Sequence, residues 1–471
     1  MLELLLTPAV FSRGLHLYYC RYENGNATTE QWVACMEEVS GLPLQRMARL
    51  WLHRTGYPQV TATCSYDGKS GHYSVTFTQS GFQAHAEGPE ELRGPWPVPI
   101  AWALVKEGTD THSGIFFMTA AAETLTVQGV VAPPDFCSLA RDWSFFGTMT
   151  VSTASQEQLQ LQARSDLDVV NRYFAYRRLA EEQKAAVVTH LAAVPVEGSL
   201  QVSSAWAALH GQLLLDEGLP PASRYLLLQE GKSLQGHPEL EHLYGEAVTA
   251  RTAMLQAVCA HHGPAVLRLY RSLAAAAGDG SEGHLPGLPG RALKQHLFDI
   301  LAAGSKAPVL PSVGGEQEDQ RAPIETMEVV CLAEALVDSP FVTDQHFGFV
   351  RGMELCPPGE RRRALQARVR ELWTQHPSTT IEYISALSGL DCEDSHEVVR
   401  ALLDDPVVNL NLAGHARTIC RGWTSNRHRA LLTAEGLKLT VELLLRVGRV
   451  NQMSAGSILQ AFNDLRCGDA Y

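Results

Sequence analysis

A few strings in the chain place chemically able residues at suggestive spacings. His396-Glu397-Val398-Val399-Arg400 comes nearest to H-E-x-x-H, the helical pattern in which two histidines grip one zinc ion and the glutamate acts as base. Arg400 stands where the second ligand belongs, and a guanidinium has no lone pair for a metal. Ser395, just before the string, reads as the cap of the helix it begins. His261 and His262 diverge by about 100° around a helix and cannot readily chelate one ion. They read as the end of a helix before Gly263-Pro264, where imidazoles suit the helix dipole. Gly278-Asp279-Gly280-Ser281-Glu282-Gly283 has no following Lys-Ser/Thr and no preceding strand, so it is not a phosphate loop, and no serine-triad motif is present. Arg361-Arg362-Arg363 opens a helix after Cys356-Pro357-Pro358-Gly359-Glu360 and reads as a solvated face. On its residues alone, the chain is a scaffold without a catalytic centre.

Composition points the same way. At 471 residues, 45% hydrophobic and 19% charged, the chain is long enough for two to four globular domains. A formal charge of -13 and the lack of a basic stripe exclude a general nucleic-acid binder. The ten cysteines show no C-x-x-C spacing and fall inside apolar patterns, which reads as free thiols in a reducing compartment. No apolar run reaches the roughly 18 residues of a membrane span, and Leu2 to Phe11 lacks the flanks of a signal peptide. The location expected is cytoplasmic.

The elements that must position any site fall into three stretches. Apolar residues at Trp32, Cys35, Met36, Val39, Leu44, Met47 and Trp51 recur at helical spacing; Gly56 ends this pattern and Pro58 blocks its resumption. From Gln59 to Ser155 the texture is short strands, at Val60–Cys64, His72–Phe77, Val98–Val105, Gly114–Met118 and Glu123–Val130. Tyr66-Asp67-Gly68 and Glu107-Gly108-Thr109 mark turns between them. This spacing predicts an immunoglobulin-like β-sandwich with Trp96, Trp102 and Trp143 as core anchors. Beyond Ser155, whose hydroxyl and Gln158 form a capping pair, helical periodicity continues to the C-terminus. Helices are expected at 167–179, 183–191, 205–216, 239–270, 291–303, 324–336, 343–353, 362–373 and 381–388, stacked as antiparallel pairs. The segments 278–290 and 304–323 read as loops within that array.

The order of these landmarks resembles one family, the bacterial-type alanyl aminopeptidases (aminopeptidase N), which are zinc-dependent gluzincin metallopeptidases. Phe11-Ser12-Arg13-Gly14-Leu15-His16-Leu17-Tyr18-Tyr19 is similar to that family's F-R-K-G-L-x-L-Y-F. Trp32 to Gly41 resembles F-V-x-A-M-E-D-A-S-G, and Arg49-Leu50-Trp51 with Gly56-Tyr57-Pro58 resembles F-R-R-W-Y-x-Q-x-G-T-P, the exit from the catalytic domain. Pro134 to Thr148 resembles a P-V-P-S-L-L-R-G-F-S-A-P-V strand, and Asp166 to Tyr173 resembles D-S-D-P-F-N-R-W. Leu403 to Asn411 and Asn411 to Ile419 resemble the H-P-A-F-x-x-x-N and N-P-N-R-x-R-x-L-I regions.

The resemblance implies a multidomain α+β chain. Residues 1–57 would be the last helices of a truncated thermolysin-like catalytic domain, 58–154 an immunoglobulin- or fibronectin-like β-sandwich, and 155–471 an all-α superhelical domain of armadillo/HEAT type. The family's G-A-M-E-N and H-E-x-x-H motifs have no counterpart in this sequence, so the chain alone is expected to be a non-catalytic pseudoenzyme that holds no zinc, the cofactor of the full-length family. It would work with a separate or upstream-encoded catalytic half and bind peptide, with no nucleic acid and no membrane. One site residue carries over: Arg417 stands at the second arginine of N-P-N-R-x-R, which faces the substrate cavity in the family, with a helix-terminal ion pair as its alternative role. His415 replaces the first arginine, and Ser457 falls where a further cavity arginine belongs. The alternative function is a stand-alone protein- or peptide-binding scaffold derived from the same family.

Overall fold

The structure, a computed structural model, describes residues 1–85, 89–193, 202–229, 237–240, 242–276, 288–307 and 324–463. They form two compact units, Met1–Leu179 and Ala180–Tyr471.

The first unit opens with α1 (Leu2–Leu6), α2 (Pro8–Tyr22), α3 (Thr29–Ser40) and α4 (Gln45–His53). The run from Trp32 to Trp51, one helical pattern in sequence, is thus two helices. Gly41 takes a left-handed φ of 71°, its N–H donates to Glu37 O, and the Glu37 side chain accepts the N–H groups of Leu44 and Gln45 at 2.6 and 3.0 Å. A carboxylate on the first helix therefore satisfies the opening donors of the second and fixes the bend. Leu6, Val33, Met36 and Leu44 make the small core beneath these helices.

The β-sandwich follows as β1 (Gln59–Asp67), β2 (His72–Ser80), β3 (Val98–Lys106), β4 (Thr109–Met118), β5 (Ala122–Val127), β6 (Phe136–Leu139) and β7 (Thr148–Val151). One sheet has the order β5-β2-β1-β7 and the other β4-β3-β6. Both predicted turns are present. At the first, Asp67 accepts from Lys69 N–H at 2.9 Å and Ser70 Oγ at 2.7 Å. At the second, Glu107 and Gly108 both have positive φ between paired Lys106 and Thr109, the backbone twist a two-residue hairpin needs. Inward residues Val60, Ala62, Val75, Phe77, Val98, Ile100 and Leu104 fill the interior, with Trp96 as the largest buried ring. Trp102 is half-buried, and Trp143 is 57% exposed, which corrects its reading as a core anchor. Ala140, Asp142 and Trp143 all have positive φ, and this loop geometry turns the indole outward.

The junction carried by α4 is polar as well as apolar. Trp51 Nε1 donates to Pro97 O at 2.8 Å, while Arg54 donates to the carbonyls of Leu92 and Gly94 at 3.0 and 2.6 Å. The Arg54 guanidinium lies 3.4 Å from the Trp96 ring centroid. Burial pushes its pKa down to about 10, with Arg46 adding to the effect. Gly56, at φ 82°, follows as the sequence required.

Two helices close the first unit's sequence, α5 (Gln156–Ser165) and α6 (Val169–Ala192), and the boundary at Leu179 falls within α6. Ser155 and Gln158 form the predicted capping box. The expected helices at 167–179 and 183–191 are one continuous helix, because no residue between them breaks the backbone ladder.

The second unit continues with α7 (Ser204–Leu214), α8 (Pro221–Leu228), α9 (Tyr244–Ala276), α10 (Leu288–Gly304), α11 (Thr326–Val337), α12 (Val342–Leu355), α13 (Glu360–Trp373), α14 (Pro377–Ser388), α15 (Ser395–Leu403), α16 (Ala413–Ser425), α17 (Arg427–Leu431), α18 (Ala434–Gly448) and α19 (Gln452–Asn463). Helix α9 passes through Pro264, so His261 and His262 sit inside it rather than at its end. A proline there costs about 3 kcal/mol of local helix stability. Burial of Met254, Val258, Val266 and Tyr270 along α9, which packs against α10, outweighs it. The loop expected at 278–290 ends early, since α10 begins at Leu288; residues 278–287 and 308–323 lie outside the described set. From α12 to α19 one continuous core runs through Phe349, Trp373, Tyr383, Ile419, Trp423, Leu443 and Ile458.

His210 on α7 and His296 on α10 meet inside this unit, Nε2 to Nε2 at 3.4 Å, with His210 fully buried and His296 6% exposed. Burial depresses both: His210 falls well below the ordinary value, with His296 and His262 adding to the effect, and His296 falls to about 4, the pull of Arg251 opposing that of Asp299. The unfolded chain therefore takes up protons before the folded one as pH falls. Stability should be complete above about pH 6.5 and decline toward pH 4, read as a falling urea midpoint. His296→Gln should flatten that slope; an unchanged slope would remove the pair as its source.

Candidate functional site

A cavity of about 740 Å³ in the second unit is a trough where faces of four helices converge. Helix α9 contributes Arg251, Thr252 and Leu255; α10 contributes Gln295, Asp299 and Ala302–Ala303. Helix α12 contributes His346, Phe347, Val350, Arg351 and Glu354, and α14 contributes Glu382 and Ser385. The spacings of three and four residues along α12 put these side chains on one face. Nothing in the sequence pairs these helices, but charged residues amid their apolar positions are the signal that could have drawn attention to them.

The trough has an ionic floor. Asp299 meets Arg351 at 2.8 Å and Arg251 at 3.3 Å. Arg351 also reaches Glu354 at 2.6 Å, and Glu354 accepts the N–H of Asp391 at 2.9 Å. Asp391 in turn holds Arg429 of α17 at 3.2 Å. Burial alone would raise the Asp299 carboxyl, but Arg351, Arg251 and His296 outweigh it and hold it below the usual carboxylate range. For Arg351, burial is likewise overcome by Asp299 and Glu354, so it stays charged. His346 stacks on Trp373 and comes within 3.1 Å of Glu382 without hydrogen-bond alignment. Burial lowers its pKa against the opposing pull of Glu382, so the imidazole is mainly neutral at pH 7.

The floor thus places cations and carboxylates, paired with one another, along one open trough. Among the described residues, no group of three or more His, Cys, Asp and Glu is arranged to hold a metal ion, so these described residues do not fit the zinc of the family that the sequence resembles.

The residues singled out by sequence lie elsewhere. Arg417 is exposed near the start of α16, is absent from the trough wall, and makes no ion pair among the described residues. His415, two positions before it, is buried; its Nδ1 accepts the N–H of Asn409 at 3.2 Å and closes the approach to α16. Ser457 donates to Ser454 O at 2.6 Å within α19. In the zinc-helix-like string, Arg400 reaches Glu442 at 3.3 Å. Ser395 is the first residue of α15 rather than its cap, and Asp394 precedes it. Asp394 instead binds Arg362 with both oxygens, at 2.9 and 2.7 Å. Arg362 is 5% exposed, which corrects the solvated-face reading of the arginine triplet for its middle member. Asp166 to Tyr173 is an anchoring motif: Asn171 binds Ser138 Oγ and Leu139 O at 2.9 and 3.0 Å, and Arg172 donates to Ala163 O at 2.8 Å.

The first unit has its own cavity, about 540 Å³, walled by Trp143, Phe145, Phe174 and Arg178. Trp143 and Phe174 stack at 6.2 Å with both rings largely exposed.

Residues 56–152 match a domain of unknown function, DUF3458, described as an Ig-like fold. Residues 156–470, two thirds of the chain, match DUF3458_C, a domain of unknown function described as ARM repeats. Aminopeptidase N of Haemophilus influenzae is 20% identical over 471 residues, covering 98% of this chain and 50% of that protein. Aminopeptidase N of Caulobacter vibrioides is 27% identical over 279 residues, covering 57% of this chain and 30% of that protein. For aminopeptidase N of Escherichia coli the figures are 25% over 231 residues, 47% and 26%. The chain thus spans half or less of these relatives' length. A crystal structure of Legionella pneumophila aminopeptidase A in complex with aspartic acid shares the fold, with a TM-score of 0.69 at 15% identity over 99% of this chain and 52% of that one.

Removing one member of the ionic floor leaves the others desolvated and unpaired, at about 3 kcal/mol or more. Asp299→Ala should lower stability by that order in urea denaturation. Lys438→Ala, which breaks an exposed pair with Glu435, should change it by less than about 0.5 kcal/mol.

Proposed function

We propose, for a chain that belongs to the DUF3458_C family, the ARM-repeat C-terminal region of aminopeptidase N, that it is the substrate-facing, non-catalytic part of an alanyl aminopeptidase-like metallopeptidase. On this reading the peptidase chemistry, removal of N-terminal residues from peptides, is supplied by a separate or upstream-encoded half carrying G-A-M-E-N and H-E-x-x-H in the cytoplasm. Helices α1–α4 are then the trailing helices of its thermolysin-like domain. The observation that supports the reading is the trough with its paired cations and carboxylates, whose charges of both signs suit the polar groups of a peptide. The exposed guanidinium of Arg417 is a further cation for a peptide carboxylate. Tyr19, Leu52 and Tyr57 stand exposed on and beside the first helices, which favours a partner there over an independent scaffold.

The 471-residue chain, supplied with zinc, should release no arylamine from alanyl arylamides and retain no stoichiometric metal after dialysis. Zinc-dependent cleavage by this chain alone would overturn the proposal. Peptide affinity, read by calorimetry, should fall several-fold in Arg351→Ala and in Arg417→Ala.

A further inference from the structure

The β-sandwich holds two thiols that no part of the peptidase reading uses. Cys64 is on β1, opposite Val75 of β2, in the four-stranded sheet; Cys137 is on β6, opposite Leu104 of β3, in the three-stranded sheet. Cys64 packs against the core cluster to which Cys137 and Tyr73 belong, and the three groups lie close enough to shift one another's ionisation. Both line a cavity of about 160 Å³ with Tyr66, Tyr73 and Thr153. Cys64 is half-buried, so a small oxidant can reach it, whereas Cys137 is 6% exposed.

We propose that Cys64 and Cys137 form a peroxide-responsive dithiol that closes to a disulfide joining the two sheets. The Cys64 thiol gives its proton to solvent, and its sulfur attacks a peroxide oxygen. The S–O bond forms, the O–O bond breaks and hydroxide leaves, which takes up a proton; sulfur is oxidised to sulfenic acid as peroxide is reduced. The Cys137 sulfur then attacks Cys64 Sγ: the S–S bond forms, the S–O bond breaks, and water leaves with the Cys137 proton. Two thiols and one hydrogen peroxide become one disulfide and two waters.

The surroundings fit this division of roles. The Cys64 thiol is pulled down by its hydrogen bond with Cys137, assisted by Tyr73 and Thr153 against the opposing effect of burial. Cys137 is pushed up by the same contact and by burial. The more reachable sulfur is therefore the better thiolate, and the buried one resolves it. Closure would constrain the unfolded chain by a loop running from β1 to β6 and so stabilise the sandwich.

The test needs only the reduced 471-residue chain. Hydrogen peroxide is added under native conditions, free thiols are alkylated, and the digest is read by mass spectrometry without reductant. A Cys64–Cys137 cross-linked peptide, with the urea midpoint raised and then restored by dithiothreitol, is the expected result. Cys64→Ser and Cys137→Ser should each abolish the cross-link, and Cys20→Ser should leave it. Alkylation of both cysteines after peroxide, or Cys64 recovered as sulfinic acid without a link, would overturn the proposal. Because the mass readout on the unmutated chain decides, a variant that fails to fold does not blunt it, and the result is independent of any peptidase role.

Discussion

Ion pairs taken out of water set how the helices of the second unit meet. Lys294 of α10 and Asp344 of α12 are 2.6 Å apart with 4% and 1% of their side chains exposed. Asp299 of α10 joins Arg251 of α9 and Arg351 of α12, and Arg362 of α13 joins Asp394 ahead of α15. Apolar burial supplies most of the stabilisation but has no direction, so an apolar stripe slid by one turn still finds apolar neighbours. A desolvated charge slid by one turn finds none of its partners and costs several kcal/mol. The trough is the open end of this network: Asp299, Arg351 and Glu354 line it and also tie its helices together.

The first unit uses a different constraint at its helix-to-strand junction. Arg54 is held by two carbonyls and the face of Trp96, while Trp96 N–H and O bind the buried Gln79 amide at 2.6 and 3.0 Å. One aromatic ring thus connects the last helix before the sandwich to a strand within it. Arg141, ion-paired with Asp110 at 2.6 Å and with the buried Asp166 at 3.2 Å, performs the matching task where the sandwich leads into α5 and α6. Polar groups at both ends of the sandwich position what precedes and follows it, and its interior stays apolar.

Much of this was legible beforehand because it rests on short-range chemistry. The capping box at Ser155 and Gln158, the Asp67 turn, the positive φ at Gly56 and the period-two burial of β1 and β2 all depend on residues a few positions apart. The candidate site was not legible for the opposite reason. Arg251, Asp299 and Arg351 are each unremarkable on an amphipathic helix, and their meaning comes from convergence across some hundred residues of chain. Arg362 looked like one of three solvated arginines until Asp394 arrived from another element. Trp143 looked like core until positive φ at Ala140, Asp142 and Trp143 carried it outward.

The sequence by itself determined the succession of helical, strand and helical stretches, the likeness to aminopeptidase N, and the absence of H-E-x-x-H within these 471 residues, since periodicity, capping and motif spacing are local properties. Tertiary structure alone decided that the apolar run through Trp32 and Trp51 bends at Gly41 and that α9 continues through Pro264. It also decided that Cys64 and Cys137 line one cavity and which charges are buried together. In each case the local preference is worth a few kcal/mol at most, and long-range packing or ion pairing, which sequence spacing does not encode, outweighs it.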